Sequence, residues 1–180
     1  MHCDVMFAGF GGQGILLSAK ILAEAAMTEG REVAWVPSYG PEMRGGTAYC
    51  MVVVSDRPIG SPIIRNPMNL VAMNRPSLEK FAPLVRPGGI ILLNRSLISV
   101  DSGRSDVDEL AVPVNDIALG LGGVRSANIV ALAAFVARSG VVDTEVLRRC
   151  VQNEFAKKKK LIPLNMAAVD AGLKAGRSKA

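Results

Sequence analysis

Along this chain short apolar runs alternate with longer segments in which apolar residues return every three or four positions. Val5, Met6 and Phe7 lie in the first run, residues 4–8, whose shortness and following glycines favour a buried parallel strand over a helix. Beyond Gly14 the apolar positions are Ile15, Leu16, Ala19, Leu22, Ala23 and Ala26, the stripe of an amphipathic helix. Residues 32–36 read as a second strand and 47–55 as a third, turned by Asp56, Arg57 and Pro58, with 59–62 continuing along an edge. Residues 70–73 are a fourth apolar run. Asn74 can cap a helix with Pro76 in its first turn, which predicts helix over 77–85, ended by Pro87, Gly88 and Gly89.

An uncharged run at 90–94 predicts a fifth strand, polar residues 99–105 an exposed connection, and 112–114 a last short strand before a short helix at Asn115 and Asp116. The remainder is helical in pattern: 125–139 ending at Gly140, a helix capped by Asp143 through about residue 155, and 164–175. Strands interleaved with helices, then helices alone, predict an α/β fold. It is a Rossmann-like sheet of about five to six mainly parallel strands with flanking helices and a C-terminal helical cluster.

The segment Gly9, Phe10, Gly11, Gly12, Gln13, Gly14 therefore joins a strand to the start of a helix. Glycine admits positive φ and close backbone approach, and a helix start leaves unpaired N–H groups with partial positive charge. That combination makes an anion site, most often for phosphate. The spacing also fits the dinucleotide fingerprint of a free-standing NAD(P)- or flavin-binding oxidoreductase, which wants an acidic residue near the end of the second strand. Glu32 stands at the wrong end of that strand. A third reading is a tight turn with close helix packing and no ligand. Residues 37–46 are rich in proline and glycine and read as a loop of about ten residues, a length often tied to function.

Composition narrows the classes. The 180 residues suit one domain, 1–180, with 173–180 as a tail that would fray. Apolar residues make up 49% of the chain and aromatics 4%, so the core is built from Ala, Val, Ile, Leu and Met. The net charge of +5 raises nucleic acid as a partner. Its excess lies late, however, in Lys157, Lys158, Lys159 and Lys160 after a predicted helix, and in Lys174, Arg177 and Lys179 of the tail. No basic stripe is interleaved with aromatics, which argues against nucleic acid. Cys3, Cys50 and Cys150 are scattered, contain no C-x-x-C pair and read as buried free thiols, too few for an iron–sulfur cluster or structural zinc. His2 is the only histidine, which argues against a His-based triad. Without a signal-peptide pattern or a membrane-length apolar run, the expectation is a cytoplasmic protein.

Taken together, the glycine segment and the run Ser38, Tyr39, Gly40, Pro41, Glu42, Met43, Arg44, Gly45, Gly46 resemble the gamma subunit of the 2-oxoacid:ferredoxin oxidoreductases. The resemblance extends over nearly the whole chain. It takes in Asn115, Asp116, Ile117 and Ala118, the stretch Arg125, Ser126, Ala127 and Asn128, and Leu164, Asn165, Met166, Ala167 and Ala168 with Gly172. The Pro-Glu-Met-Arg-Gly-Gly form looks like the 2-oxoglutarate and branched-chain 2-oxoacid members.

The resemblance implies one subunit of a complex that converts a 2-oxoacid and coenzyme A to acyl-CoA and carbon dioxide, passing electrons to ferredoxin. Thiamine diphosphate, magnesium and 4Fe-4S clusters would belong to alpha, beta and delta-type partner subunits, and this chain alone would not be catalytic. The N–H groups of Gly11, Gly12, Gln13 and Gly14 would face a phosphate, plausibly of coenzyme A, or a carboxylate of a neighbouring subunit. Arg44 would pair with an anion, or alternatively with Glu42 or across a subunit interface, and Ser38 and Tyr39 could donate to the same group. Asn128 is expected to cap or cross-link the late helices. An interface left without its partners would invite self-association.

Overall fold

The computed structural model describes residues 1–39 and 47–178. Residues 40–46, Arg44 among them, lie outside the described residues. Six strands form one sheet: β1 (His2–Phe10), β2 (Glu32–Tyr39), β3 (Thr47–Ser55), β4 (Asn69–Ala72), β5 (Ile90–Asn94) and β6 (Asp108–Val112). Their spatial order is β2-β3-β1-β4-β5-β6. β1, β4, β5 and β6 pair in parallel, and β3 alone runs against its neighbours β1 and β2. β2 and β3, consecutive in the chain, pair antiparallel; the parallel strands are joined by longer crossovers.

Two expected boundaries shift for identifiable reasons. Residues 37–39 continue β2 instead of opening a loop, with Pro37 opposite Cys50. β2 is an edge strand, where a residue lacking an N–H is tolerated. The last strand is β6 at Asp108–Val112, not 112–114, because Pro113 caps the following helix and the strand's charged residues obscured it. β6 is the opposite edge, and only Leu110 and Val112 are buried along it. Residues 59–62 form no strand.

The helices are α1 (Ile15–Thr28), α2 (Arg75–Phe81), α3 (Val114–Gly120), α4 (Ala127–Ser139), α5 (Thr144–Glu154) and α6 (Ile162–Arg177). Asn74 caps α2 as expected, its side-chain oxygen accepting the Ser77 N–H at 2.9 Å. Successive β1 side chains go to opposite faces. Val5 and Phe7 join Val52, Val71 and Leu92 under α1, α4, α5 and α6, and Phe7 meets Phe135 edge-on at 6.2 Å. Met6 joins Leu70, Ile91 and Leu93 on the other face, under Leu78, Phe81 and Val85 of α2 and its extension.

α4 is buried on every side from Ala127 to Val136, lying between the sheet and α6. A helix without a polar face suits only such a site. α6 meets it through small residues: a Cβ on Gly172 would stand 2.4 Å from the Val130 carbonyl oxygen and 2.7 Å from the Ala133 Cβ. The expected fraying from residue 173 does not start there, since α6 runs to Arg177 with Leu173 and Gly176 buried.

Candidate functional site

The parallel strands end at the edge where β1 meets the glycine turn, the end at which open α/β sheets bind ligands. The turn closes through the Gln13 N–H donating to the Phe10 carbonyl at 3.1 Å. Gly12 has φ +97° and Gly14 has φ +75°, left-handed conformations that exclude most side chains. Gly14 precedes α1 with no side-chain cap, and the first turn of α1 contains no acidic residue. Among the described residues no acceptor meets the N–H of Gly11, Gly12 or Gly14.

Gln13 departs from its expected role. Its N–H is engaged in the turn, and its carboxamide folds back as a strut. The Oε1 accepts from the Phe10 N–H at 2.7 Å and from Asn74 Nδ2 at 3.0 Å, while Nε2 donates to the Met73 carbonyl at 3.2 Å. The strut ties the β1 turn to the end of β4. Asn128, expected to join the late helices to one another, instead ties α4 to the start of α1. Its Nδ2 donates to the Gly14 carbonyl at 3.3 Å, and its own carbonyl accepts the Ser18 hydroxyl at 3.0 Å.

A cleft of about 370 Å³ opens beside the turn. Its walls are Gly12, Gln13 and Gly14, the apolar side chains of Leu17, Met73 and Val124, and the polar residues Asn115, Arg125 and Asn128. Asn115 is held by buried Asn94, whose Nδ2 donates to Asn115 Oδ1 at 2.8 Å and to the Met73 carbonyl at 3.2 Å. Among the described residues no carboxylate lines the cleft. Arg125 is exposed at its rim and has no ion pair among the described residues, unlike Arg138, which meets Asp108 at 2.5 Å. Unpaired backbone donors, an amide and a free guanidinium around one cavity form an anion-accepting surface.

Of the residues singled out in the sequence, Gly12, Gln13 and Gly14 line this cleft, and Gly11 is in the same turn. Ser38 and Tyr39 end β2 at the same edge of the sheet, separated from β1 by β3, and Ser38 is not part of the cleft wall. Arg44 falls outside the described residues. Sequence reasoning assigned no role to Asn115, Arg125, Leu17 or Met73. Asn115 and Arg125 did stand in stretches carrying the family resemblance, which was the available signal.

Other titratable groups lie away from the cleft. Burial and the nearby Asp4 charge push the Cys3 thiol up to about 11, and burial pushes Cys50 up to about 12, so both stay protonated near neutrality. Buried Asp4 is held by Arg86 and accepts the Met68 N–H at 2.5 Å. Among the described residues no group of three or more His, Cys, Asp or Glu could hold a metal ion. Glu32 pairs with Ser55 at the opposite end of β2 from the turn, away from where a dinucleotide ribose would need a carboxylate.

A mainly parallel sheet of this order with a glycine turn at its carboxyl edge defines a Rossmann-like α/β domain. The family model described as pyruvate ferredoxin/flavodoxin oxidoreductase matches residues 4–175, and the chain belongs to that family. It is 44% identical over 169 residues to ketoisovalerate oxidoreductase subunit VorA of Methanothermobacter thermautotrophicus, covering 93% of this chain and 35% of that one. To 2-oxoglutarate synthase subunit KorC of Methanocaldococcus jannaschii it is 34% identical over 162 residues, covering 87% and 86%. The crystal structure of a keto/oxoacid ferredoxin oxidoreductase gamma subunit from Geobacter sulfurreducens superposes with TM-score 0.84 at 30% identity, over 97% of this chain and 98% of that one. The chain thus spans about a third of the VorA relative and most of the length of the other two.

Proposed function

We propose that this chain is the gamma-type subunit of a cytoplasmic 2-oxoacid:ferredoxin oxidoreductase, where it seats an anionic part of coenzyme A. The assembly would convert a 2-oxoacid and coenzyme A to acyl-CoA and carbon dioxide and pass the electrons to ferredoxin. The higher identity to a ketoisovalerate oxidoreductase subunit ranks a branched-chain 2-oxoacid ahead of 2-oxoglutarate. The observation that carries this reading is a cleft with open Gly12 and Gly14 amides and, among the described residues, no lining carboxylate and no ion pair for Arg125.

The chain's own part is to bind and orient. The glycine turn offers fixed N–H donors to a phosphate, Arg125 adds a charge-assisted pair, and Leu17, Met73 and Val124 form an apolar wall. Gln13 and Asn128 hold the turn in register, so little reordering accompanies binding. Thiamine diphosphate with its magnesium and the 4Fe-4S clusters would be held by alpha, beta and delta-type partners; in support, the described residues of this chain include no group of three His, Cys, Asp or Glu that could hold a metal ion. They would supply carbanion stabilisation and electron transfer. Arg44, and Ser38 and Tyr39 at the end of β2, remain proposed contributors.

The test is to tag the chain in its native cell, purify it anaerobically, and assay coenzyme A-dependent viologen reduction with branched-chain 2-oxoacids, 2-oxoglutarate and pyruvate. Co-purification with larger subunits and activity on one of these acids is the expected result. A lone chain that binds a nicotinamide nucleotide would overturn the proposal.

A further inference from the structure

Next to the coenzyme A cleft, and sharing Leu17, Val124 and Arg125 with it, lies a second groove of about 550 Å³. Its floor is apolar, built from Phe155, Leu161 and Leu164 on the helices that close the chain. Two of its apolar lining residues are themselves exposed, Val124 at 49% and Leu161 at 39%. Single exposed apolar side chains are ordinary on a protein surface, but several lining one concavity mark an interaction site.

The charge around the groove is one-sided. Lys158 is part of its wall, and Lys157, Lys159 and Lys160 stand on the same exposed turn. Among the described residues no carboxylate lines the groove, and none of these four lysines has an ion pair. Several cations elsewhere on the chain are paired: Lys20 with Glu154, Arg31 with Glu29, Arg104 with Asp106, Arg148 with Asp170. The turn follows the C-terminal end of α5, whose dipole favours a cation in its last turn. That effect fades within one turn, and Lys158 leaves helical geometry altogether at φ −123°, ψ 57°. Four adjacent like charges beside an apolar hollow are mutually repulsive and gain most from a partner that brings carboxylates.

We infer that this groove docks an acidic segment of a neighbouring subunit, with an apolar side chain seated on Phe155, Leu161 and Leu164 and its carboxylates meeting the lysine turn. The inference rests on the gamma-subunit reading for the existence of that neighbour. A second copy of this chain is a poor occupant, because the described residues of the groove include no carboxylate to meet another copy's lysines. A bilayer is a poor one because the apolar surface is recessed between elements. The groove's continuity with the cleft places the docked subunit at the mouth of the coenzyme A site, so docking would also close one side of that site to solvent.

The experiment uses the assembled complex. The chain is produced with its partner subunits, and the salt and protein concentrations at which it leaves the complex are read by size-exclusion chromatography. Two variants are compared with the unaltered protein: K157Q/K158Q/K159Q/K160Q and Leu161→Ser. The altered residues are exposed, so the melting curve of each variant chain alone should match the parent. The expected result is about tenfold weaker assembly for the lysine variant at physiological ionic strength, with the difference shrinking at high salt. Leu161→Ser should weaken assembly at every salt concentration. Unchanged assembly of both variants overturns the inference while leaving the gamma-subunit reading intact. So does intact assembly with a raised KM for coenzyme A, which would make the turn a phosphate site, or lysine-dependent binding to phosphatidylglycerol vesicles without any assembly defect. If the unaltered chain itself fails to assemble, the functional reading fails first and the dock with it.

Discussion

At the scale of single residues, the glycine turn separates two kinds of constraint. Gly12 has open space where a Cβ would go, so only its φ of +97° opposes a side chain. Gly14 combines φ +75° with a Cβ position 2.6 Å from Asn128 Cγ. Gly12→Val should therefore strain the turn by about 1–3 kcal/mol and act mainly on ligand binding, read as a raised KM for coenzyme A in the assembled complex. Gly14→Ala should also displace Asn128 and loosen α4 from α1, lowering the melting temperature of the chain alone. Equal melting of the two variants would show that the Asn128 contact contributes nothing. The thiols give a second check. Cys50, pushed up to about 12 by burial, should react with iodoacetamide near neutral pH only after denaturant unfolds the chain. Rapid alkylation of the folded protein would contradict the buried-thiol assignment.

At the scale of elements, what could be read from sequence was what periodicity records. The stripe beginning at Ile15, the cap at Asn74 and the uncharged run at 90–94 each have a local cause, and each forms the expected element. β6 and the end of β2 were misplaced because edge strands tolerate charge on one face and proline on the open side, which disguises them as loop. The closeness of α4 and α6 was equally hidden, since nothing local in Gly172 says which backbone it meets. Replacing Gly172 by Leu should cost more than the about 1–3 kcal/mol typical of overpacking, because the obstruction includes the Val130 carbonyl itself. A urea titration measures it. β6 is also joined to α4 by Asp108, whose carboxylate Arg138 grips at 2.5 Å through two nitrogens and holds below its ordinary pKa. A carboxyl lowered in the folded state stabilises the fold above its unfolded pKa, and that contribution is lost as pH falls through the lower folded value. Asp108 is 39% exposed, so solvent screening limits the contribution to about 1 kcal/mol or less. The stability gap between the parent and Asp108→Asn should accordingly be present near neutrality and narrow as pH falls below the ordinary aspartate value of about 3.9 and on through the lowered folded value. A gap that widens in acid would reverse the assignment.

At the scale of the whole molecule, the cleft gathers residues from distant parts of the chain: Gly12 and Gly14 after β1, Asn115 at the start of α3, Arg125 and Asn128 at the start of α4. The glycine segment was legible because its chemistry is local. Its partners were not, because only the sheet order brings the turns after β1, β4 and β6 to one edge, and sequence spacing does not encode that order. The strongest claim the assembled site makes is therefore about Arg125, a residue no local pattern picks out. If the cleft seats a phosphate of coenzyme A, removing the guanidinium while keeping a polar side chain should weaken binding without disturbing the fold, since Arg125 is exposed and makes no ion pair among the described residues. Arg125→Gln in the assembled complex should raise the KM for coenzyme A about tenfold, corresponding to one charge-assisted contact of roughly 1.4 kcal/mol. The rate at saturating coenzyme A and the KM for the 2-oxoacid should change little, because the contact lies away from the reacting carbon and contributes equally to ground and transition states. Arg125→Lys should recover part of the loss, keeping the charge without the paired donors. A fall in saturated rate with an unchanged KM would mean that Arg125 acts on the chemistry or on subunit geometry. The cleft would then not be where this chain holds its anion.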